Sequence, residues 1–307
     1  MSNRTAEKMP DLEGKTAVVT GANSGLGFEA TRKLAEHNAE VIMACRIKEK
    51  GLDAKEKIES EIEKADLRVM QVDLASLNSI QEFSKEFSSE YEKLDLLFNN
   101  AGVMAIPRRE TKDGFEYQFG VNHLGHFALT AQLMEALKKA EEARIISQTS
   151  IAHENGEINF EDINHEKQYD RMQAYSDSKL ANLLFAKELD RKLKENDLDI
   201  KAVASHPGVS HTNLFNAEES QHNIIVTKMM GLGLKIFGQS AKKGCLPMLY
   251  AATSSDIKGG EFIGPDGFKA IRGSPEKQTP SEKAQDEELA EKLWKKSEKM
   301  TGIKYSL

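Results

Sequence analysis

Short runs of apolar, often β-branched residues alternate along this chain with longer segments whose apolar positions recur at helical spacing. The runs are TAVVT (16–20), EVIMAC (40–45), LRVMQV (67–72), LDLLFN (94–99), ARIIS (143–147), IKAVAS (200–205) and a short GEFIG (260–264). Segments such as FEATRKLAEHN, SLNSIQEFSKEFSSEYEK, HFALTAQLMEALKKAEE and AYSDSKLANLLFAKELDRKLKEN lie between them. Strand-length runs alternating with helical stretches predict a parallel sheet covered by helices, so the expected fold is α/β, doubly wound, with seven parallel strands. No Pro-, Gly- or Ser-rich linker and no repeat interrupts the rhythm, which predicts one domain over residues 1–307. Two segments break the alternation. Residues 208–240 contain the apolar IIVTKMMGLGLKIFG, and residues 272–307 form a charged tail with a predicted helix behind Pro280. Ser281 is a plausible N-cap there, and Leu289, Leu293 and Trp294 fall on adjacent helical positions, which suits packing or docking of a partner.

Composition narrows the class. At 307 residues and 39% hydrophobic content the chain can bury a large core. A net charge of −7 supplies no basic field for a nucleic-acid backbone. The opening MSNRTAEKMPDLEG is polar, and no run approaches the ~18 apolar residues of a membrane span, so a cytoplasmic protein without an integral membrane segment is expected. Cys45 and Cys245 are too few for a disulfide framework or a thiolate metal site, and Cys45 falls inside a predicted strand.

TGANSGLG (20–27) sets three glycines between the first strand and the first helix. A triphosphate-binding loop needs a lysine and a hydroxyl after its last glycine, and this loop has Leu26 and Phe28 around Gly27 instead. A dinucleotide loop needs glycines for a tight turn, for close approach of a pyrophosphate and for helix-on-strand packing, at a helix N-terminus whose dipole favours the anion. Gly21, Gly25 and Gly27 could serve those ends; an ordinary glycine turn is the alternative. At the end of the second strand, where a carboxylate would hold a free ribose, the chain reads MACR. Arg46 there offers a guanidinium fork suited to a 2′-phosphate, which favours NADP over NAD, unless it is a solvated loop residue.

The spacing T-G-x-x-x-G-x-G resembles the classical branch of the short-chain dehydrogenase/reductase family. VDLAS at Val72, NNAG at Asn99, VNHLGHF at Val121, YSDSK at Tyr175 and HPG at His206 follow in the family's order. The resemblance spans about residues 14–270 and implies a Rossmann fold and an oxidoreductase, frequently a homo-oligomer. It implies that the cofactor is held by Gly21, Asn23, Ser24, Gly25, Leu26 and Gly27, by Arg46, by Asp73 and Leu74 near the adenine, and by Asn100, Ala101 and Gly102. Tyr175 and Lys179 would hold it too, with Pro207, Gly208, Val209 and Thr212 at the nicotinamide end.

Tyr175 and Lys179 stand at i and i+4 of a predicted helix and so share a face. An unperturbed tyrosine, with pKa ~10, is a poor acid or base near neutrality. A nearby ammonium, and the positive ring of an oxidised nicotinamide, are expected to lower it. Ser150 follows the fifth strand, at the edge where an open α/β sheet places its ligand crevice, and is expected to hydrogen-bond the substrate oxygen. It lies 25 positions ahead of Tyr175, against about a dozen in the common pattern. That longer spacing resembles the retinol-dehydrogenase-like subgroup, with Ser147 a weaker alternative to Ser150. The resemblance also implies that Asn122 completes the group by holding a water that connects the lysine to solvent. His123 and His126 lack the companions of a metal site, so no metal is expected. His153 and His165 are read as surface residues.

The chain is therefore expected to be an NADP(H)-dependent oxidoreductase interconverting an alcohol and a carbonyl. Its alternative is a catalytically idle NADP-binding regulatory or scaffold protein. Leu214, Phe215, Ile224, Ile225, Met229, Met230 and Phe237 give residues 208–240 the character of an apolar cover or wall, which favours lipophilic substrates. The same stretch could touch a membrane surface, although it lacks a dense basic face.

Overall fold

The computed structural model describes residues 9–209 and 239–307. In chain order its elements are β1 (Thr16–Thr20), α1 (Gly25–Glu36), β2 (Glu40–Cys45), α2 (Lys48–Glu61), β3 (Asp66–Gln71), α3 (Leu77–Glu90) and β4 (Leu96–Asn99). Then come α4 (Gly125–Leu137), β5 (Ala143–Gln148), α5 (Arg171–Glu195), β6 (Ile200–Ser205), α6 (Leu246–Thr253), β7 (Phe262–Pro265), β8 (Pro275–Gln278) and α7 (Glu287–Thr301). The strands form one sheet in the order β3-β2-β1-β4-β5-β6-β7-β8. All pairings from β3 to β7 are parallel.

Every residue of β1 is buried, because helices cover both faces of the sheet. Its side chains divide between them by the strand's two-residue period. Val18 joins Ile42, Met70, Leu97 and Ile145 on the face lined by Phe127 of α4 and Phe185 of α5. Ala17 and Val19 join Val41, Met43, Phe98 and Ile146 on the face lined by Ala30 and Leu34 of α1 and by Met248 and Leu249 of α6. Fully burying one such Leu, Met or Phe side chain contributes about 1.5–3 kcal/mol. The chain winds outward from β1 toward β3 and, after returning to β4, outward the other way. The carboxyl ends of β1 and β4 therefore flank the switch point at which a doubly wound sheet opens a ligand crevice.

Seven parallel strands match the sequence pattern. An eighth, β8, pairs antiparallel with β7 and lies in the tail that hydropathy marked as helical. Its sequence, PEKQ, has no apolar run because only Pro275 is buried. The tail helix also starts later than expected. Ser281 precedes a separate 3-10 turn, and Asp286 is the N-cap, its side chain accepting from the Leu289 N–H. The helix packs inward: Trp294 stacks on Phe185 with ring centroids 6.0 Å apart and meets Tyr305 at 4.4 Å. Residues 241–253 form two helices that meet at Cys245, ahead of Pro247. Cys45 and Cys245 are both buried free thiols.

Candidate active site

The loop after β1 turns tightly. Gly21 has φ +67, and a Cβ on Gly27 would lie 2.4 Å from the Gly21 carbonyl oxygen and 2.7 Å from Asn100 Nδ2. Ser24 occupies the N-cap position of α1, yet its side chain makes no capping bond. The first N–H groups of α1 are thus not capped by that hydroxyl, as suits a bound phosphate. Thr20 joins the loop to β4: its Oγ1 accepts from the Asn100 and Ala101 N–H groups at 2.9 Å each, and its carbonyl accepts from Asn100 Nδ2 at 2.7 Å.

A groove of about 680 Å³ runs from this loop across the ends of β2 and β3. It brings together the predicted residues Gly21, Asn23, Ser24, Gly25, Leu26, Gly27, Arg46, Asp73, Leu74, Asn100, Ala101 and Gly102. Asp73 is partly committed: its Oδ1 accepts from the Ala75 N–H and its Oδ2 lies 3.5 Å from Lys112 Nζ. Arg46 is exposed and donates from Nη1 to the Tyr117 hydroxyl at 3.0 Å.

Past Gly102 the groove meets a second group of side chains. A Cβ on Gly102 would lie 3.0 Å from Asn122 Oδ1 and 3.4 Å from Lys179 Nζ, so any side chain here would crowd both groups. Asn122 sits in a π-helical turn, Gly120–Leu124, that leads into α4. Its Oδ1 accepts from the Val103 N–H at 2.8 Å, and its Nδ2 donates to Val103 O at 3.0 Å and Ser178 Oγ at 2.9 Å. Tyr175 and Lys179, one turn apart on α5, are both 5% exposed, and Lys179 Nζ is 5.7 Å from the Tyr175 ring centroid. The Ser150 hydroxyl, which accepts from the Ala152 N–H at 3.2 Å, stands near enough to Tyr175 to favour its ionised form. Lys179 Nζ donates to the Gln148 carbonyl at 3.2 Å. Ser147 is buried within β5, and its hydroxyl has no hydrogen-bond partner among the described residues.

The electrostatics differ from the sequence expectation in one respect. Burial pushes the Tyr175 phenol above its usual range, with the nearby Ser150 side chain opposing, against the lowering expected from the neighbouring ammonium. Burial also pulls the Lys179 ammonium down to about 8. Pro207, Gly208 and Val209 form a turn outside the groove lining, pinned by Val209 N–H to Ile271 O at 2.8 Å and by Gln239 Nε2 to Pro207 O at 2.7 Å. Thr212 and the apolar side chains of 214–237 lie outside the described residues.

Residues 15–223 match the short chain dehydrogenase family. The chain belongs to that family. Retinol dehydrogenase 13 of Mus musculus is 39% identical over 293 residues, covering 95% of this chain and 85% of the relative. Retinol dehydrogenase 11 of Homo sapiens is 36% identical over 303 residues, covering 99% and 91%. The subgroup is therefore retinol-dehydrogenase-like. The crystal structure of an uncharacterized protein from Mycobacterium Paratuberculosis superposes with a TM-score of 0.81 at 37% identity, covering 99% of both chains. A short chain dehydrogenase from Shigella flexneri complexed with NADP shares the fold at a TM-score of 0.63 and 19% identity, covering 83% of this chain and 98% of that one. This short-chain dehydrogenase is an oxidoreductase of alcohol and carbonyl groups that uses a nicotinamide cofactor.

The structure corrects two histidines of the dehydrogenase. His153 is 2% exposed, donates from Nδ1 to Ser150 O at 2.7 Å and packs edge-on against Phe262. His165 is also withdrawn from solvent and forms an ion pair with Asp177 of α5 at 3.1 Å, which ties the long insert after Ser150 to the tyrosine-bearing helix. His123 and His126 diverge. His123 Nε2 reaches Ser297 of α7 at 2.9 Å, while His126 donates from Nδ1 to Asn122 O at 2.9 Å and turns Nε2 to Thr20 Oγ1 at 3.0 Å. Burial holds His126 down to about 4, so it is neutral at pH 7, and its Nε2 competes with the Phe98 carbonyl, 3.1 Å away, for the single Thr20 hydroxyl proton. Among the described residues no cluster of three metal-ligating side chains occurs, and no helix is long and apolar enough to cross a membrane.

Sequence reasoning missed Thr20, His126, Tyr117 and Gln148. Thr20 stood in the glycine motif but read as the end of a strand. The other three act through long-range contacts that no local pattern carries.

Proposed function

We propose that this dehydrogenase interconverts a lipophilic alcohol and its carbonyl with NADP(H), using Tyr175 as the acid and base. The observation that carries this is a buried Tyr175 with the Lys179 ammonium one helical turn away, 5.7 Å from its ring centroid, at the point beside Gly102 where a groove fit for a dinucleotide ends. The glycine cradle, the N-cap hydroxyl not used in capping and the Arg46 fork suit a pyrophosphate and an adenosine 2′-phosphate. A nicotinamide cofactor held along this groove would supply the hydride to the carbonyl carbon in reduction and would take it from the carbinol carbon in oxidation.

In reduction, Tyr175 gives its phenolic proton to the carbonyl oxygen; in oxidation it takes the proton from the alcohol. A phenol raised by burial is an effective proton donor only if its anion is stabilised as it forms, and the Ser150 hydroxyl and the Lys179 ammonium supply that stabilisation. The Gln148 carbonyl fixes Lys179 Nζ. The Asn122 side chain is spent on Val103 and Ser178 and holds the π-helical turn against the groove. That turn bears the Asn122 carbonyl, an acceptor for a relayed water with one position taken by His126. The lipophilic class rests on the relatives, which are named for retinol, an apolar alcohol, and on the apolar composition of residues 208–240.

The test is a panel of aliphatic and aromatic aldehydes, their alcohols and polyhydroxylated compounds, run with each cofactor in native protein and in Tyr175→Phe and Arg46→Ala. Turnover on apolar substrates that Tyr175→Phe abolishes, with NADPH preferred and Arg46→Ala losing that preference, is expected. Unchanged turnover in Tyr175→Phe would leave the idle cofactor-binding scaffold as the better account.

A further inference from the structure

Arg46 is exposed at the groove, but its guanidinium is held. Its Nη1 donates to the Tyr117 hydroxyl at 3.0 Å, and the Arg109 guanidinium lies 3.8 Å from the centroid of the same tyrosine ring. Tyr117 is 8% exposed and begins the short helix Tyr117–Phe119, whose N-cap Glu116 carboxylate accepts from the Gln118 and Phe119 N–H groups. One hydrogen bond therefore links the groove wall after β2 to the wall after β4.

The partner's chemistry matters. Arg32, Arg68, Arg108, Arg144 and Arg191 each face a carboxylate, which neutralises them. Arg46 faces a neutral phenol. A carboxylate in that place would fix the guanidinium equally well but would cancel its charge and repel an incoming anion. A phenol fixes it and leaves the charge whole. With Nη1 bonded to the tyrosine, no partner among the described residues occupies the Nε and Nη2 N–H groups, and a phosphate monoester, near −1.5 to −2 at pH 7, is the acceptor that two parallel donors fit.

We infer that Tyr117 is a positioning residue for the adenosine 2′-phosphate, holding the Arg46 guanidinium at the groove ready for that group. The inference rests on the NADP(H) reading. An arginine already held loses less freedom when the phosphate docks, so removing the tyrosine hydroxyl should weaken phosphate-dependent binding by about threefold to tenfold.

The experiment is titration calorimetry of the full chain with 2′,5′-ADP and with 5′-AMP, in native protein, Arg46→Ala and Tyr117→Phe. The phenylalanine keeps the ring beneath Arg109, and 5′-AMP reports whether the groove itself is intact. The native protein should prefer 2′,5′-ADP, Arg46→Ala should lose the preference, and Tyr117→Phe should bind 2′,5′-ADP about threefold to tenfold more weakly with 5′-AMP unchanged. Unchanged or tighter 2′,5′-ADP binding in Tyr117→Phe overturns the positioning role, as does an equal loss for both ligands. If the native protein shows no preference, or the preference survives Arg46→Ala, the NADP(H) reading fails and the role of Tyr117 fails with it.

Discussion

Lys179 is 5% exposed, and burial alone pulls its ammonium from 10.5 to about 8. A difference of that size between folded and unfolded chain corresponds to about 3 kcal/mol of destabilisation whenever the lysine is charged in both states. Methionine has a similar unbranched length without the charge. Its substitution also leaves no orphaned acceptor, because the Gln148 carbonyl that Lys179 contacts accepts from Asn182 Nδ2 at 3.0 Å. Lys179→Met should therefore stabilise the fold by about 1–3 kcal/mol near pH 6.5 while abolishing turnover. The sign follows from proton binding. Between about pH 8 and 10.5 the unfolded chain holds the lysine proton more tightly than the folded one, so native stability rises across that window and the variant's advantage shrinks. Urea unfolding of cofactor-free native and variant protein at pH 6.5 and at pH 10 measures both quantities. A variant no more stable than native at pH 6.5, or an advantage that is flat across the window, would refute the claim that the site holds a desolvated ammonium at the expense of stability.

Gly27→Ala should abolish cofactor binding, seen as loss of NADPH fluorescence enhancement, since its Cβ would fall 2.4 Å from the Gly21 carbonyl. Retained binding would mean that the loop opens without cost. Asp286→Ala should lower stability by about 1 kcal/mol in denaturant unfolding through loss of the bond to the Leu289 N–H, whereas Ser281→Ala should forfeit no cap. His165 is raised above its usual value by Asp177, so its contribution to holding the 152–170 insert is full below pH 6.5 and is lost as pH rises through the folded value. Limited proteolysis of that insert should accelerate at pH 9 relative to pH 6.5, and His165→Gln should remove most of the difference.

The seven parallel strands were legible because helices cover both faces of the sheet, so the inner strands are short and almost wholly apolar, while the edge strand β3 still buries Leu67 and Met70 between exposed Asp66, Arg68 and Gln71. The glycine loop, the Tyr175–Lys179 helical pair and Ser150 at a strand end were legible for a related reason: their chemistry depends on spacing within a turn, a helix or a sheet edge. Local sequence does not encode what lies across the fold. Burial, set by neighbours distant in the chain, moved Tyr175 upward where the nearby lysine alone implied the reverse. It also converted His153 and His165 from expected surface residues into tethers. β8 has no hydropathy of its own, since the edge of a sheet formed by β7 supplies its pairing. Arg46 could be proposed as a phosphate ligand from its place after a strand, but its partner is 71 residues away. That it is held by a neutral phenol, with its charge kept, is a property of two groove walls meeting, and only the folded chain brings them together.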